Sequence, residues 1–197
     1  MLPIFNILKP LDYLTTQWSG GSTTQLAIAP EGAVYADRSF LWRISSATVE
    51  LDESDFTPLP DYCRFISTVQ GDMTLSHNGG APLTLHPGDV HAFDGGDATH
   101  STGRCTDFNL MLRKGRADGT MRSFHFTSGN TVFQAEKGAE MVLLYCAAGA
   151  VDVSCGQQRI RLAAHESLLA QNAANLSFDL SFSEAGLLMA AQAWHTR

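Results

Sequence analysis

One strand–turn–strand pattern occurs twice in this chain, and it constrains the fold more than any other feature. In the first copy, an Asn-Gly-Gly turn at residues 78–80 separates two alternating segments, and a Pro-Gly-Asp turn follows at residues 87–89. An Asn-Gly turn between alternating segments is typical of a β-hairpin. The pairs that correspond between the two copies are separated by 78, 77 and 77 residues, and they are Gly71 and Gly149, Leu85 and Leu162, and Asp89 and Glu166. The repetition therefore predicts a duplicated β unit.

Outside these copies, alternating apolar segments recur roughly every 8–12 residues with Gly, Pro, Asn and Asp at their ends, which is typical of a sandwich or barrel. No long amphipathic helix with convincing caps is evident. We therefore expect an all-β protein with two jelly-roll-like β-barrel halves. Residues 1–116 would form the first half and residues 117–197 the second, joined near residues 115–120 into one globular unit.

Charge and composition exclude several kinds of partner. The 197 residues include 13 basic and 20 acidic side chains, so the net charge is −7. Without a basic run, this chain is a poor candidate for binding nucleic acid or an anionic membrane. It has no apolar segment of the roughly 20 residues that a membrane helix needs, and its first residues do not resemble a signal peptide. We expect a cytoplasmic protein.

The cysteine pattern is compatible with the expected cytoplasmic location. Four are present, and no two form a C-x-x-C pair. We expect reduced, buried thiols. A disulfide between Cys146 and Cys155, which flank a predicted hairpin, is the alternative.

The strand at residues 106–113 combines packing and polar chemistry. Because side chains alternate along a strand, Phe108, Leu110 and Leu112 share one face. Asp107 and Asn109 share the other face, next to each other near the middle of a predicted domain. Buried polar groups need partners, so this face indicates a site.

Two arginines supply candidate partners, because each lies in the middle of an apolar strand. A buried Arg43 or Arg64 must meet an acid or a ligand, and the guanidinium fork matches a carboxylate. Either arginine could pair internally with Asp107, or one could remain free to hold an anionic small molecule. Both arrangements are compatible, with Asp107 positioning one arginine while the other faces the ligand.

Other chemistries lack support in the sequence. No His-x-His pair is present, and His86 and His91 are five residues apart around a Pro-Gly turn, so we expect solvated histidines and no metal site. No Gly-x-Ser-x-Gly motif indicates an acyl transferase. We expect no cofactor and assign no catalytic residue.

Taken together, these residues resemble the HutD/Ves family of bacterial bicupins. The likeness covers about residues 18–116, and the second half matches only in general character. The motifs that carry it are Trp18-x-Gly-Gly-x-Thr-Thr, Trp42-Arg43-Ile44-Ser45-x-Ala47, Phe56, Arg64, Gly71, Phe93-x-Gly-Gly-Asp97 and Asp107-Phe108-Asn109-Leu110-Met111-x-Arg113. The chain departs from the family pattern at Ser19, Ser22 and Gln25, which affects the ligand more than the fold.

The resemblance implies a two-part β-barrel that binds a small metabolite, such as a formimino- or formyl-amino acid from histidine degradation, in a regulatory or sensing role. As the first hypothesis, Arg43 and Arg64 hold a carboxylate, Asn109 and Thr24 fix the polar ends of the ligand, and Trp18 and Trp42 pack on its chain.

Two further hypotheses stay open. One is a metal-independent isomerase or hydrolase with Asp107 as base, although nearby arginines are expected to lower the pKa of Asp107 and weaken it as a base. The other is a dimer surface on the second half, which would make the protein a homodimer.

Overall fold

The computed structural model describes residues 1–196, whose regular secondary structure is almost entirely β-strand. The two short 3-10 helices are Pro10–Asp12 and Tyr35–Asp37. The prediction of an all-β protein is therefore confirmed. The strands are β1 (Ile4–Leu8), β2 (Leu14–Trp18), β3 (Gly21–Ala29), β4 (Trp42–Val49), β5 (Glu53–Asp55), β6 (Tyr62–Gln70), β7 (Met73–His77), β8 (Leu83–Leu85), β9 (His91–Asp94), β10 (Thr99–Thr102), β11 (Cys105–Arg113), β12 (Ala117–Phe126), β13 (Gly129–Gln134), β14 (Met141–Ala148), β15 (Ala150–Cys155), β16 (Gln158–Ala163), β17 (Ser167–Gln171), β18 (Ser177–Phe182) and β19 (Gly186–His195).

These strands belong to two compact units. The N unit comprises residues 13–118, and the C unit comprises residues 1–12 and 119–196. The first strand lies in the C unit because β1 pairs with β17 from Ile4 opposite Gln171 to Leu8 opposite Ser167. The sequence-based division placed residues 1–116 in one half and 117–197 in the other; residue 197 lies outside the described part. The expected join at 115–120 runs into strand β12.

Two antiparallel sheets form the N unit. One has six strands in the order β2-β3-β4-β11-β6-β9, and the other has four strands in the order β5-β10-β7-β8. Neither order returns to its first strand, so the sheets face each other without closing a hydrogen-bonded barrel within the described residues. Side chains from both sheets meet in an apolar cluster of Val49, Ile66, Met73, Leu75, Leu85 and Cys105.

The C unit has the same construction. Its sheets are β1-β17-β14-β19-β12 and β13-β18-β15-β16. Inward side chains from both sheets form one large apolar cluster, because Val142 and Leu144 of β14 meet Phe178 and Leu180 of β18. All four of these side chains are almost completely buried.

The two copies of the sequence pattern occupy matching places in the two units. Leu85 pairs with Met73, and Leu162 pairs with Val151. Acidic side chains close the turn that follows in the same way: Asp89 Oδ2 accepts a hydrogen bond from the backbone N–H of His86 at 2.9 Å, and Glu166 Oε2 accepts one from Ala163 at 3.0 Å. The repeat predicted from the sequence is therefore a structural repeat.

A glycine begins each of the two copies, because its backbone conformation and its close neighbours leave no room for a side chain. Gly71 and Gly149 have φ angles of 74° and 76°, which disfavour residues with a Cβ. A Cβ would also stand 2.6 Å from the carbonyl oxygen of Arg104 at the first position and of Ala185 at the second.

Two pairings in the N unit involve segments with little apolar pattern. β2 and β3 form a hairpin in which Trp18 pairs with Gly21. Within the acidic segment 52–62, Glu53–Asp55 pairs with β10. Such a short edge strand depends on backbone pairing and leaves little apolar pattern in the sequence.

The cysteines are all free, as expected, and the alternative of a disulfide between Cys146 and Cys155 does not form. Cys63 is exposed, contrary to the expectation of burial, whereas the other three are buried. Among residues 1–196, no helix is long and apolar enough to cross a membrane.

Candidate ligand-binding site

A pocket of about 310 Å³ opens in the interior of the N unit. Strands β4, β6 and β11 form its floor, and the segment that contains β5 forms one wall. The lining combines two arginines, two acids and an amide with several aromatic side chains. The lining residues are Thr16, Trp18, Thr23, Tyr35, Arg43, Ser45, Ala47, Val49, Ser54, Asp55, Phe56, Thr57, Arg64, Asp107, Asn109 and Met111.

Strand register places the polar groups on the floor. Arg43 of β4 and Arg64 of β6 both lie opposite Met111 of the central strand β11. Asn109 lies two residues before Met111 on β11, and Asp107 lies two residues before Asn109. Same-face neighbours on a strand are about 6.6 Å apart, so the two arginines flank one end of the row and the acid lies at the other.

Arg64 is buried but incompletely partnered. Its Nη2 donates a 3.0 Å hydrogen bond to Asn109 Oδ1, while its Nε is fully enclosed and has no partner. The guanidinium lies 4.8 Å from the ring centre of Phe56 and 5.1 Å from that of Phe93. Burial lowers the pKa of Arg64 to about 10, so the group stays charged at neutral pH.

Arg43 is fixed by neutral groups. Its Nε donates to Gln25 Oε1 at 2.8 Å and its Nη1 to Ser45 Oγ at 3.1 Å. The guanidinium also lies 4.2 Å from the ring centre of Tyr35, within the range of a cation–π contact. Burial lowers the pKa of Arg43 from its ordinary value.

Asp107 is buried, and it forms an ion pair with neither arginine among the described residues, so of the two alternatives that the sequence left open, the internal pair does not form. Its Oδ1 accepts hydrogen bonds from the Ala47 N–H at 2.9 Å and from Asn109 Nδ2 at 2.8 Å. Because both arginines lie opposite Met111, Asn109 stands between them and the acid. Asn109 thus connects Arg64 to Asp107 as an amide bridge.

The expectation of a lowered pKa for Asp107 was also wrong. Burial raises the pKa of Asp107 to about 6, against the opposing effects of the Ala47 hydrogen bond and the charge of Arg64. Desolvation of the carboxylate outweighs attraction because the arginines do not contact it directly.

Five of the seven residues predicted to bind ligand line this pocket: Trp18, Arg43, Arg64, Asp107 and Asn109. Trp18 lies at the edge and is 39% exposed. Thr24 and Trp42 do not line it. Alternation explains both cases, because Thr23 and Arg43 face the pocket and their immediate neighbours must face away; Thr24 instead contacts Thr15 through its hydroxyl at 2.9 Å.

Tyr35 is the pocket residue that the sequence concealed most completely. It lies in the short 3-10 helix Tyr35–Asp37, and the guanidinium of Arg38 lies 3.9 Å from its ring centre. Ser45 was easier to find, because it alternates in phase with Arg43.

The histidines do not assemble a multi-ligand site. His91 faces His77, with 2.9 Å between their Nε2 atoms, and His77 Nδ1 contacts Thr99 Oγ1 at 2.8 Å. His86 is exposed and lies 3.0 Å from Asp72, which raises the pKa of His86. Within residues 1–196, no three His, Cys, Asp or Glu side chains lie close enough to hold a metal ion.

Comparisons with known proteins agree with this architecture. A sequence model of the HutD family matches residues 11–189. A conserved protein of unknown function from Pseudomonas aeruginosa is 28% identical, with a TM-score of 0.85 over 97% of this chain and 99% of its own. HutD from Pseudomonas fluorescens is 22% identical, with a TM-score of 0.78 over 98% and 100% of the two chains.

A cupin 2 conserved barrel domain protein from Leptotrichia buccalis shares the fold at 10% identity, with a TM-score of 0.56 over 95% of each chain. The predicted cupin-like fold is therefore confirmed. A comparison with curated proteins finds no match.

Proposed function

This chain belongs to the HutD family, and on that premise we propose that it is a non-catalytic bicupin that binds a small carboxylate metabolite in the N-unit pocket. Arg64 and Arg43 hold the carboxylate, Asn109 orients Arg64, and Trp18 packs on the rest of the ligand. The pocket volume of about 310 Å³ suits a small metabolite.

One observation carries this proposal: Arg64 is 7% exposed, and its Nε has no hydrogen-bond partner. An unsatisfied donor on a buried charge is costly. A carboxylate that enters the pocket supplies the missing counter-charge, because Arg64 lines the pocket and hydrogen-bonds to the neutral Asn109 and to no acid among the described residues. The aromatic rings of Phe56 and Phe93 hold the guanidinium in place for that contact.

For the ligand itself, we propose a histidine-catabolism intermediate such as a formimino- or formyl-amino acid, bound in the cytoplasm in a regulatory or sensing role. The family supports this assignment, and the mixed polar and aromatic lining is compatible with a short amino-acid derivative. Thr24 and Trp42 do not line the pocket, so neither contacts the proposed ligand directly.

A thermal-shift screen and calorimetry test the proposal. Small carboxylates and histidine-pathway intermediates are added to the wild type and to Arg64→Met. A bound ligand at 100 times its Kd stabilises a protein by about 2.7 kcal/mol, and Arg64→Met abolishes that stabilisation. Arg159→Met is the matched control, because Arg159 is exposed and contacts only local carbonyl oxygens. Unchanged binding by Arg64→Met contradicts the proposal.

A second candidate function, a metal-independent isomerase or hydrolase, is favoured by the raised pKa of Asp107, about 6. A carboxylate with a pKa near the working pH is a better general base than an ordinary aspartate. Turnover of a formimino compound by the wild type, lost in Asp107→Asn while binding persists, would establish it. Binding without turnover supports the non-catalytic function.

The proposal extends to assembly as a homodimer, with the C unit as the candidate contact surface. Light scattering at high protein concentration measures this directly. A monomeric mass across the concentration range rejects the dimer without affecting the pocket.

A further inference from the structure

We infer that the pocket selects carboxylates that also carry an N–H donor, and that Asp107 is the residue that recognises this donor. The inference rests on the proposed function and deepens it, because it assigns the specificity to one side chain. It excludes plain carboxylates and keto acids of the same shape as preferred ligands.

The unused oxygen of Asp107 is the primary evidence. Its Oδ1 already accepts two hydrogen bonds, from Ala47 and Asn109. Its Oδ2 accepts none from residues 1–196, and it is not among the fully enclosed unpaired atoms, so it is open to the pocket that Asp107 lines. A buried carboxylate oxygen of this kind calls for a donor.

Among the described residues, none donates to that oxygen, and the amide and guanidinium groups discussed next are engaged elsewhere. Asn109 is the nearest polar neighbour on the same face of β11, and both ends of its amide are used, with Nδ2 donating to Asp107 and Oδ1 accepting from Arg64. Arg43 is held by Gln25 and Ser45. The donor must therefore come from the ligand or from water.

Charge along the strand orients the ligand. The two guanidinium groups flank Met111, and Asp107 lies four residues, or about 13 Å, back along β11. The long arginine side chains shorten that gap, as the bond from Arg64 to Asn109 demonstrates. A ligand carboxylate is attracted to the arginine end and repelled by ionised Asp107. An N–H group placed toward Asp107 turns that repulsion into a hydrogen bond to a charged acceptor.

N-acetylglycine and levulinate provide the test, because they differ by the exchange of one N–H for one CH₂. Calorimetry with the wild type should give N-acetylglycine at least about tenfold tighter binding, the scale expected when a buried polar group is left unpaired. Equal affinity for the two probes overturns the inference.

Asp107→Asn sharpens the test. The backbone N–H of Ala47 and the amide of Asn109 both donate to Oδ1, so the new amide keeps its oxygen there and presents its NH₂ group where Oδ2 was. The preference for N-acetylglycine should disappear or reverse. An unchanged preference in Asp107→Asn overturns the assignment to this residue.

A titration supplies an independent readout. Asp107 has a pKa of about 6, so the wild type is compared above and below that value while both probes remain ionised. Below it, levulinate should bind more tightly and the ratio between the probes should shrink. A ratio that is constant across that range contradicts the inference.

The inference and the proposed function fail in different ways. Equal binding of both probes that Arg64→Met abolishes leaves a carboxylate site without N–H selectivity. If no carboxylate binds, with or without an N–H group, the proposed function fails and the inference fails with it.

Discussion

The interiors of the two units differ although their strand arrangements match. Strand register identifies equivalent positions in the two units. In the N unit, Arg64 lies between its strand partners Phe93 and Met111. In the C unit, Val142 takes the same place between Ala170 and Gln192. The same register extends down the central strand. The polar row of the N unit and its counterparts are Arg64 and Val142, Asn109 and Ala190, and Asp107 and Leu188.

This difference teaches that the fold does not require the charged groups. At the three equivalent positions, the C unit carries side chains that are at most 1% exposed and that join one apolar cluster. The N unit instead keeps a pocket and an enclosed guanidinium nitrogen with no partner. Buried charges seldom stabilise a fold as well as apolar packing does, so packing does not explain the polar row, which fits the proposed binding role.

The largest expected effect comes from moving the charge into the filled unit. Val142→Arg buries a guanidinium in the apolar cluster of the C unit, and we expect a loss of about 3–5 kcal/mol in the free energy of unfolding. Urea denaturation measures it. Val132→Arg is the control, because Val132 is 55% exposed in the same unit. Equal stability of the two variants would break the comparison.

The next effect concerns pH. Burial raises the pKa of Asp107 from 3.8 to about 6, so the folded state binds this proton more tightly than the unfolded state does. Stability therefore falls as pH rises from about 4 to about 6, by about 3 kcal/mol in total. The contribution is complete below that window and absent above it.

Asp107→Asn should remove this part of the pH dependence, since Asn does not titrate. Urea denaturation across the window compares it with wild type and with Asp152→Asn, an exposed aspartate of the C unit. If Asp107→Asn keeps the wild-type dependence of stability on pH, the buried acid of the N unit is not the cause of that dependence.

Smaller and equal effects are expected at the glycines that open the two repeats. Gly71→Ala and Gly149→Ala each place a Cβ 2.6 Å from a backbone carbonyl oxygen at positive φ, and we expect a loss of about 1–3 kcal/mol for each. Gly156→Ala has positive φ but no atom within 4 Å of its Cβ, so it should lose less. Thermal denaturation measures the loss. If only one of the two substitutions lowers stability, the conclusion that both units share this structural repeat is weakened.

The smallest effects belong to the acidic turn residues. Asp89→Ala and Glu166→Ala each remove one acceptor for a backbone N–H, and we expect about 1 kcal/mol for each. Glu31→Ala, at an exposed loop position, serves as the control in the same denaturation assay. A marked inequality between the two turn variants would sharpen the comparison by locating where the repeats diverge.

Local patterns predicted much of the site. Alternation alone placed Arg43 with Ser45 on one face, and Asp107 with Asn109 on one face, as the pocket lining has them. Alternation would also have excluded Trp42 from that face, but its aromatic character and its place beside Arg43 suggested a wall of the pocket. Tyr35 gave no periodic signal, because a single turn of 3-10 helix has none.

The pairing of charges was beyond reach of the sequence. The burial of Arg43 and Arg64 in apolar strands made an ion pair with Asp107 one alternative and a lowered pKa of Asp107 an expectation. Register instead places Met111 opposite both arginines and Asn109 between Arg64 and the acid. The pKa of Asp107 then follows from burial, which depends on every element around it.

Strand alternation, turn residues and the duplicated spacing are patterns in the sequence itself. The sequence alone therefore determined the all-β character, the repeat and the faces that the polar side chains occupy. Which strands lie beside one another, at what register, and which interior stays hollow depend on contacts between residues far apart in the chain. Those long-range contacts set the amide bridge through Asn109 and leave Arg64 short of a partner, because hydrogen bonding and desolvation act over a few ångströms in space and take no account of distance along the chain.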